Sequence, residues 1–206
     1  DGYVYRGKKP IHWCATCETA LADAEVEYGD RVSPSIYVAL KVVSGAGKLR
    51  RDAGDVFLLV WTTTPWTLPA NRAVAVRPEF EYAAVRMKGR ALVVARELVQ
   101  GVAGILGEPS PEVVGICRGA DLEGAVAARP LTGEGSPVIP SAHVTLEQGT
   151  GVVHIAPGHG DEDYRIGVKH GIEVFAPVDA RGEFTGAAGK YAGMRVEKAN
   201  GAIIED

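Results

Sequence analysis

A series of short apolar or alternating runs, each bounded by Gly, Pro, Asp or Asn, limits what this chain can fold into. The runs are rich in Val, Ile and Leu, which is typical of β-strands. Gly occurs 26 times among 206 residues, and this favours many turns over a helical bundle. The predicted strands are Ser35–Val43, Asp55–Thr62, Tyr82–Arg86, Ala91–Ala95, Glu112–Cys117, Pro137–Ile139 and Gly151–Ile155.

Short helices are predicted between some of these strands. Asp161–Lys169 has acidic residues in its first turn, where they suit the positive end of the helix dipole. The other helical candidates are Ala20–Glu27, Arg96–Leu106, Leu122–Ala127 and a helix that begins within Val196–Asp206. We therefore expect the α+β fold class, in the form of a β-rich, barrel-like domain with short helices.

Composition and charge argue against several classes of protein. No run of about 18 apolar residues occurs, so no membrane span is expected. The chain starts without an apolar signal core, and its three cysteines do not make a disulfide framework. We therefore expect a cytoplasmic protein. The net charge is −4, whereas a domain that grips nucleic acid alone usually carries a basic excess. If the substrate is a nucleic acid, this chain holds only a small part of it.

The first chemical motif is the threonine-rich segment Trp61–Asn71. Thr62 ends a predicted strand, and Pro65 cannot donate a hydrogen bond to a sheet, so the strand stops there. The threonines then project hydroxyls and backbone amides at a strand end, where they can bind a carbonyl, a ribose hydroxyl or a phosphate. The alternative is that threonine is simply a good strand residue.

The second motif is Gly149–Tyr164, in which a strand leads through a Gly/Pro loop to an acidic helix start. Two histidines and three acids gather there, at His154, His159, Asp161, Glu162 and Asp163. An ionised Asp at the edge of a pocket suits a substrate ammonium group, because charge-assisted hydrogen bonds are strong. A metal site and satisfied structural histidines are the alternatives.

A third feature is the Cys-x-x-Cys pair Cys14 and Cys17, with Cys117 alone far along the chain. A structural zinc site needs four ligands, so this pair could be half of a site completed by residues outside the chain. A thiol pair without a role and a thioredoxin-like redox motif are the alternatives, although no βαβ pattern surrounds the pair. No Gly-x-Ser-x-Gly nucleophile motif and no phosphate-binding glycine loop occurs in the sequence.

Taken together, these segments resemble the editing domain inserted into bacterial isoleucyl-tRNA synthetases, which are class I enzymes. The opening residues, Gly2–Gly7, Pro10–Cys14 and Thr19–Tyr28, resemble the segment that leads from the catalytic domain into the insertion. Trp61–Asn71 resembles the threonine-rich editing motif, and Gly149–Tyr164 resembles the second motif. The Thr-Thr-Thr-Pro-Trp sequence favours the isoleucyl branch, because the valyl and leucyl enzymes carry Thr-Thr-Arg-Pro. The aminoacylation signatures are absent, so this chain should not charge tRNA.

The resemblance implies hydrolysis of valine wrongly attached to the isoleucine tRNA, and of valyl-adenylate. It assigns catalytic roles to Asp163, which would pair with the substrate ammonium, and to Thr62, Thr63 and Thr64. The threonines would line the ester and position a water. The ester is already activated, so we expect an oriented water to suffice without a protein nucleophile.

The resemblance also assigns substrate-binding residues. His154 would form a wall too close for the extra methyl group of isoleucine. The same pocket would be shaped by Trp66, Thr67, Asn71 and His159. No cofactor is expected for editing, and a zinc ion would be shared by Cys14 and Cys17 with residues outside the chain.

The resemblance divides the chain into a linker from the catalytic domain, residues 1–30, and the editing domain, residues 31–206. It implies as partners the acceptor end of tRNA(Ile), the valine moiety and the rest of the synthetase, with no membrane and a monomeric state. A free-standing deacylase and a non-catalytic module that binds the tRNA acceptor end are the competing interpretations. Deacylation of Val-tRNA by the purified chain separates them.

Overall fold

The computed structural model describes residue 4, residues 7–30 and residues 32–206. Within them the strands, in chain order, are β1 Trp13–Cys14, β2 Thr19–Ala20, β3 Ile36–Ser44, β4 Val56–Thr62, β5 Ala73–Val76, β6 Glu81–Met87, β7 Arg90–Ala95, β8 Glu112–Arg118, β9 Val126–Ala128, β10 Gly135–Pro140 and β11 Val152–Ile155. The α-helices are α1 Gly47–Ala53, α2 Val99–Ile105, α3 Asp161–Lys169 and α4 Val196–Glu205. Short 3₁₀ helices cover Asp23–Glu25, Pro65–Ala70, Arg96–Leu98, Gly119–Leu122 and Gly186–Tyr191.

In the described part of the chain, β1 and β2 form a two-stranded ribbon, and the other strands form a nine-stranded mixed sheet. The order in the large sheet is β11-β5-β10-β9-β3-β4-β7-β6-β8. The sheet curls so that β11, at one edge, packs against β4. The expected α+β, β-rich fold with short helices is confirmed.

Gly151 lies where β11 begins and the chain passes close to the end of β7. Its φ is +73°, and a Cβ added there would lie 2.4 Å from the Cβ of Ala95. The adjacent backbone N–H of Ala95 donates to the carbonyl of Thr150 at 2.8 Å. Both the positive φ and the close approach therefore require glycine at this position.

The interior of the curl is a cluster of buried aliphatic side chains from most of its strands, including Val60 of β4 and Val152 of β11. Side chains alternate between the two faces of a strand. Thr62 follows Val60 by two positions, and His154 follows Val152 by two. Both polar side chains consequently continue the inward-facing rows, and each is 8% exposed.

Two predicted helices are wrong. Residues 20–27 contain the last residue of β2 and the 3₁₀ turn Asp23–Glu25, which has no buried residue, and short helices depend on packing for stability. Residues 122–127 contain the end of a 3₁₀ turn followed by β9. Gly124 has a φ of +75° and ends the helical path, and Ala127 is then buried between β3 and β10.

The remaining predicted elements are confirmed with shifted ends. Every predicted strand overlaps a strand of the large sheet, and α2, α3 and α4 lie where helices were expected. The two prolines of β10 are tolerated because each faces only one paired neighbour. Pro137 pairs with β9 before the pairing with β5 begins, and Pro140 pairs with β5 after that with β9 has ended.

The division at residue 30 stays a prediction. Residues 1–3, 5–6 and 31, which fall in or next to the predicted linker, lie outside the described residues. The ribbon is attached to the rest of the chain by Trp13, whose indole N–H donates to the carbonyl of Ala180 at 2.7 Å. None of the described helices is long and apolar enough to cross a membrane.

Candidate functional site

The threonine motif forms a tight turn at the end of β4. The Oγ1 of Thr62 accepts the backbone N–H of Thr64 at 3.1 Å, a local bond that favours a turn over a continued strand. Pro65 then starts the 3₁₀ helix Pro65–Ala70. Thr62 is buried, whereas Thr63 and Thr64 are exposed. The motif thus presents the exposed side chains of Thr63 and Thr64 on a turn that the buried side chain of Thr62 stabilises.

The two motifs meet at His154. Its Nε2 lies 2.9 Å from the Oγ1 of Thr67, and its Nδ1 lies 3.1 Å from the Nδ2 of Asn71. The hydroxyl of Thr67 donates in turn to the carbonyl of Thr64 at 2.9 Å. The buried ring of β11 is therefore tied to the 3₁₀ helix that follows the threonine turn.

The hydrogen bonds of Asn71 determine which nitrogen of the His154 ring carries the hydrogen. The Nδ2 of Asn71 donates to the carbonyl of Ala73 at 3.0 Å, and its Oδ1 accepts the hydroxyl of Ser136 at 2.7 Å. Since Nδ2 is the donor, the Nδ1 of His154 is an acceptor and Nε2 carries the hydrogen. Burial lowers the pKa of His154 to about 4, so the ring is neutral at physiological pH.

This tautomer decides what the hydroxyl–imidazole pair can do. A general base must accept the proton of a nucleophilic hydroxyl at a free ring nitrogen. Here Nε2 is the donor, and the hydroxyl of Thr67 is already committed to the carbonyl of Thr64. The pair of Thr67 and His154 is consequently a structural link and not an activated nucleophile.

Asp163 lies in the first turn of α3, where the helix dipole favours its negative charge. Its Oδ2 accepts the backbone N–H of Ala156 at 2.8 Å, just beyond the end of β11. Its Oδ1 has no hydrogen-bond partner within the described ranges. Burial raises the pKa of this carboxyl group above its ordinary value. A half-buried carboxylate with one open oxygen is suited to bind a cation.

His159 and Trp66 form a second contact between the two motifs. Their ring centroids are 5.0 Å apart, with an edge-on angle of 81°. Burial lowers the pKa of His159 to about 4. The Nε2 of His159 is buried without a hydrogen-bond partner in the described part of the chain.

Two pockets are lined in part by residues of the threonine motif. One, of about 470 Å³, is lined by residues 148–153 together with Trp61, His143, Thr145 and Glu162. Each motif contributes to it, and Glu162 is the neighbour of Asp163 in sequence. The other, of about 340 Å³, is lined by Val32, Ser33, Pro34, Thr63, Thr64, Trp66, Val196, Glu197 and Asn200.

Sequence reasoning missed three residues that the fold brings to these motifs. Ser136 holds Asn71, and Asn200 holds the backbone N–H of Trp66 at 3.0 Å. His143 pairs with Glu162 at 3.1 Å beside the larger pocket. None lies in a motif, and each is separated from its partner by a stretch of chain with no pairing signal.

Cys14 and Cys17 lie close together at the turn of the ribbon β1–β2. The Sγ of Cys14 accepts the backbone N–H of Cys17 at 3.3 Å, and this hydrogen bond lowers the pKa of Cys14. This favours the thiolate form of Cys14 that zinc binding needs, whereas the hydrogen bond with Cys14 raises the pKa of Cys17. No group of three or more potential metal ligands occurs among the described residues, so two further ligands would have to come from elsewhere. Cys117 is buried, which raises its pKa to about 12.

Sequence comparison shows which family this chain belongs to. The family model for tRNA synthetases class I (I, L, M and V) matches residues 1–179. This chain is a member of the class I tRNA synthetases. The inferred resemblance to the isoleucyl branch is confirmed by similarity to isoleucine–tRNA ligases. That of Carboxydothermus hydrogenoformans is 51% identical over 205 residues, and that of Desulforamulus reducens is 50% identical over 206 residues. Each match covers 100% of this chain but 22% of the ligase. This chain therefore spans about a fifth of the length of these curated relatives.

Solved structures of class I synthetase domains share the fold. GlLeuRS-CP1 superimposes with a TM-score of 0.64 at 18% identity, covering 83% of this chain and 94% of that one. The P. knowlesi cytosolic leucyl-tRNA synthetase editing domain gives 0.63 at 10% identity, covering 83% and 91%. At these identities the likeness concerns the fold alone.

Proposed function

We propose that this chain is the hydrolytic editing domain of an isoleucyl-tRNA synthetase. It removes valine from tRNA(Ile), and from valyl-adenylate, while another part of the enzyme charges the tRNA. The observation that carries the proposal is the convergence of the two motifs. His154 links them through Thr67, and Asp163 is held at the end of the strand that carries His154.

Asp163 anchors the substrate by its charge. An aminoacyl ester presents an α-ammonium group, and Oδ2 of Asp163 is fixed by Ala156 while Oδ1 has no partner among the described residues. A charge-assisted hydrogen bond from the ammonium to that oxygen fixes the amino-acid end of the ester.

Thr63 and Thr64 line the ester, and Thr62 supports them. The ester is already activated, so the site needs only to orient a water molecule and to stabilise the developing negative charge. The exposed hydroxyls of Thr63 and Thr64 supply donors for both purposes. Thr62 contributes by holding the N–H of Thr64, which sets the direction of the turn.

His154 excludes isoleucine. The walls of the pocket around His154 are held by Trp66, Thr67, Asn71 and His159. The ring of His154 is 8% exposed, and both nitrogens are hydrogen-bonded. A ring held in this way cannot swing aside for an extra methyl group, and overpacking typically costs about 1–3 kcal/mol.

No cofactor takes part in this hydrolysis. Zinc held by Cys14 and Cys17 would stabilise the ribbon β1–β2 together with ligands from outside the chain. The partners we propose are the acceptor end of tRNA(Ile) and the rest of the synthetase, within a monomeric cytoplasmic enzyme. The net charge of −4 fits a domain that receives only the end of a tRNA held elsewhere.

The test is deacylation of Val-tRNA(Ile) and Ile-tRNA(Ile) by the purified chain, with the full-length ligase assayed in parallel. An editing domain hydrolyses the valyl ester and spares the isoleucyl ester. A non-catalytic module that binds the acceptor end would retain tRNA without releasing either amino acid, and that result in both preparations would refute the proposal.

A further inference from the structure

Asn200 stands outside both motifs, yet it caps the helix that follows the threonine turn. In the 3₁₀ helix Pro65–Ala70, Pro65 has no N–H, so Trp66 carries the first N–H that needs a partner. The side chain of Thr64, at the N-cap position, does not supply one. The Oδ1 of Asn200 accepts this N–H at 3.0 Å, from 134 positions away in the sequence.

This arrangement leaves Thr64 available to the site. An N-cap threonine usually turns its hydroxyl back onto its own helix. Here the Oγ1 of Thr64 lies 3.3 Å from the Oγ1 of Thr62 instead, and Thr64 is exposed beside Thr63. Because Asn200 accepts the N–H of Trp66, the Thr64 hydroxyl does not have to cap this helix and stays at the turn.

The same hydrogen bond also fixes the position of Trp66. The Trp66 ring meets His159 edge-on at 5.0 Å, so the backbone of Trp66 carries one of the contacts between the two motifs. Helix α4 is a firm support for Asn200, because Ala199 and Ile203 of α4 are buried against Leu68 in one cluster.

We infer that Asn200 is a positioning residue of the editing site, which acts by capping Trp66 and so keeps the Thr64 hydroxyl at the exposed turn, where substrate can reach it. This inference rests on the proposed function. The cap itself uses the Oδ1 of Asn200, while its Nδ2 makes only a long contact of 3.4 Å with the carbonyl of Glu197 in the same helix. A carboxylate keeps the acceptor that the cap needs, whereas an aliphatic side chain of the same shape does not.

The experiment compares Asn200→Leu, Asn200→Asp and the matched control Lys198→Ala, an exposed residue of the same helix. Two quantities are measured on the 206-residue chain. One is hydrogen exchange at the Trp66 amide, followed by NMR, and it does not depend on catalysis. The other is kcat and KM for Val-tRNA(Ile), measured also in the full-length ligase with the same substitutions.

We expect Asn200→Leu to speed exchange of the Trp66 amide and to lower kcat about tenfold, the size of one capping hydrogen bond, with little change in KM. Asn200→Asp restores both values, and Lys198→Ala changes neither. Unchanged exchange or unchanged kcat in Asn200→Leu overturns the inference. Equal loss of activity and melting temperature in both Asn200 variants also overturns it, because that pattern means a merely structural role.

The design separates this inference from the function on which it rests. If the unmodified chain and the full-length ligase both fail to hydrolyse Val-tRNA(Ile), the proposed function fails, and the inference fails with it even when the amide exchange behaves as expected. If both hydrolyse it and Asn200→Leu does so equally well, only the inference fails.

Discussion

The Oγ1 of Thr67 and the Nε2 of His154 are hydrogen-bonded at 2.9 Å across 87 positions of sequence. The bond joins the helix after the threonine turn to the strand that leads to Asp163. Because the ring donates in this bond, His154 is not placed to act as a base, and in the proposed function it serves as a fixed wall. The two residues can therefore be varied separately, one for its hydrogen bond and the other for its volume.

The first prediction concerns selectivity. His154→Ala removes the ring and leaves room for the extra methyl group of isoleucine, so hydrolysis of Ile-tRNA(Ile) should rise by about tenfold or more. Hydrolysis of Val-tRNA(Ile) should stay within about tenfold, because Asp163 still anchors the ammonium. The measurement is deacylation of both esters, with thermal melting alongside.

Thr67→Val is the matched control for this prediction. It removes the hydrogen bond and keeps both the ring of His154 and nearly the same volume at position 67. Both esters should then be affected alike, with no gain for isoleucine. A parallel fall of both activities in His154→Ala, in step with a lower melting temperature, would exclude the wall.

The second prediction follows from the buried histidines. Burial lowers the pKa of His154 from 6.5 to about 4, so the unfolded chain takes up the proton first. Stability that is present above pH 6.5 is then lost as the pH falls towards 4, on the order of 3 kcal/mol for this residue. His154→Gln should reduce the fall in the free energy of unfolding, measured with urea, while exposed His12→Gln should not. If the free energy of unfolding falls with pH equally steeply in His154→Gln and in the unmodified chain, the lowered pKa of His154 is contradicted.

The third prediction concerns the cost of keeping Asp163 charged. Burial raises its pKa above 3.8, so ionisation is less favourable in the folded chain than in the unfolded one. The destabilisation is absent below the ordinary pKa and present once the pH has risen through the raised one. Asp163→Asn, which can still accept the N–H of Ala156, should unfold at higher urea than the unmodified chain at about pH 7. That advantage should vanish at about pH 3, and an advantage independent of pH would refute the electrostatic explanation.

Sequence patterns predict the large sheet well where strands are long and apolar. They fail where tertiary contacts override local preference. The run of residues 122–127 has a helix-like composition, yet Gly124 turns the chain and Ala127 is covered by strands on both sides. Strand β5 has only four residues and follows the threonine motif directly, so its pattern was too short to separate from the motif.

The candidate site is predictable only in part for a similar reason. Thr62, His154 and Asp163 can be identified from the sequence, because each lies in a short motif whose residue types indicate its chemistry. The support they receive comes from Ser136 and Asn200, which meet the motifs only after folding. Whether the motif residues act as the family resemblance implies stays a prediction for experiment.

The fourth prediction concerns zinc. If Cys14 and Cys17 supply two ligands and the rest lie outside this chain, the isolated chain should hold less than one zinc and lose it to a mild chelator. The full-length ligase should retain one zinc at this pair, and Cys17→Ser should release it. Metal analysis of both proteins decides the matter, and one tightly held zinc per isolated chain would contradict the half-site.

The most direct test of the account asks whether Asp163 recognises the ammonium group. Val-tRNA(Ile) is compared with an ester in which the α-amino group of valine is replaced by a hydroxyl, using the unmodified chain and folded Asp163→Ala. Loss of a buried charge pair costs about 2–5 kcal/mol, so Asp163→Ala should hydrolyse the valyl ester at least about thirtyfold more slowly. It should hydrolyse the hydroxy ester as fast as the unmodified chain does. Equal losses on the two esters, or wild-type hydrolysis of the valyl ester by Asp163→Ala, would contradict the account.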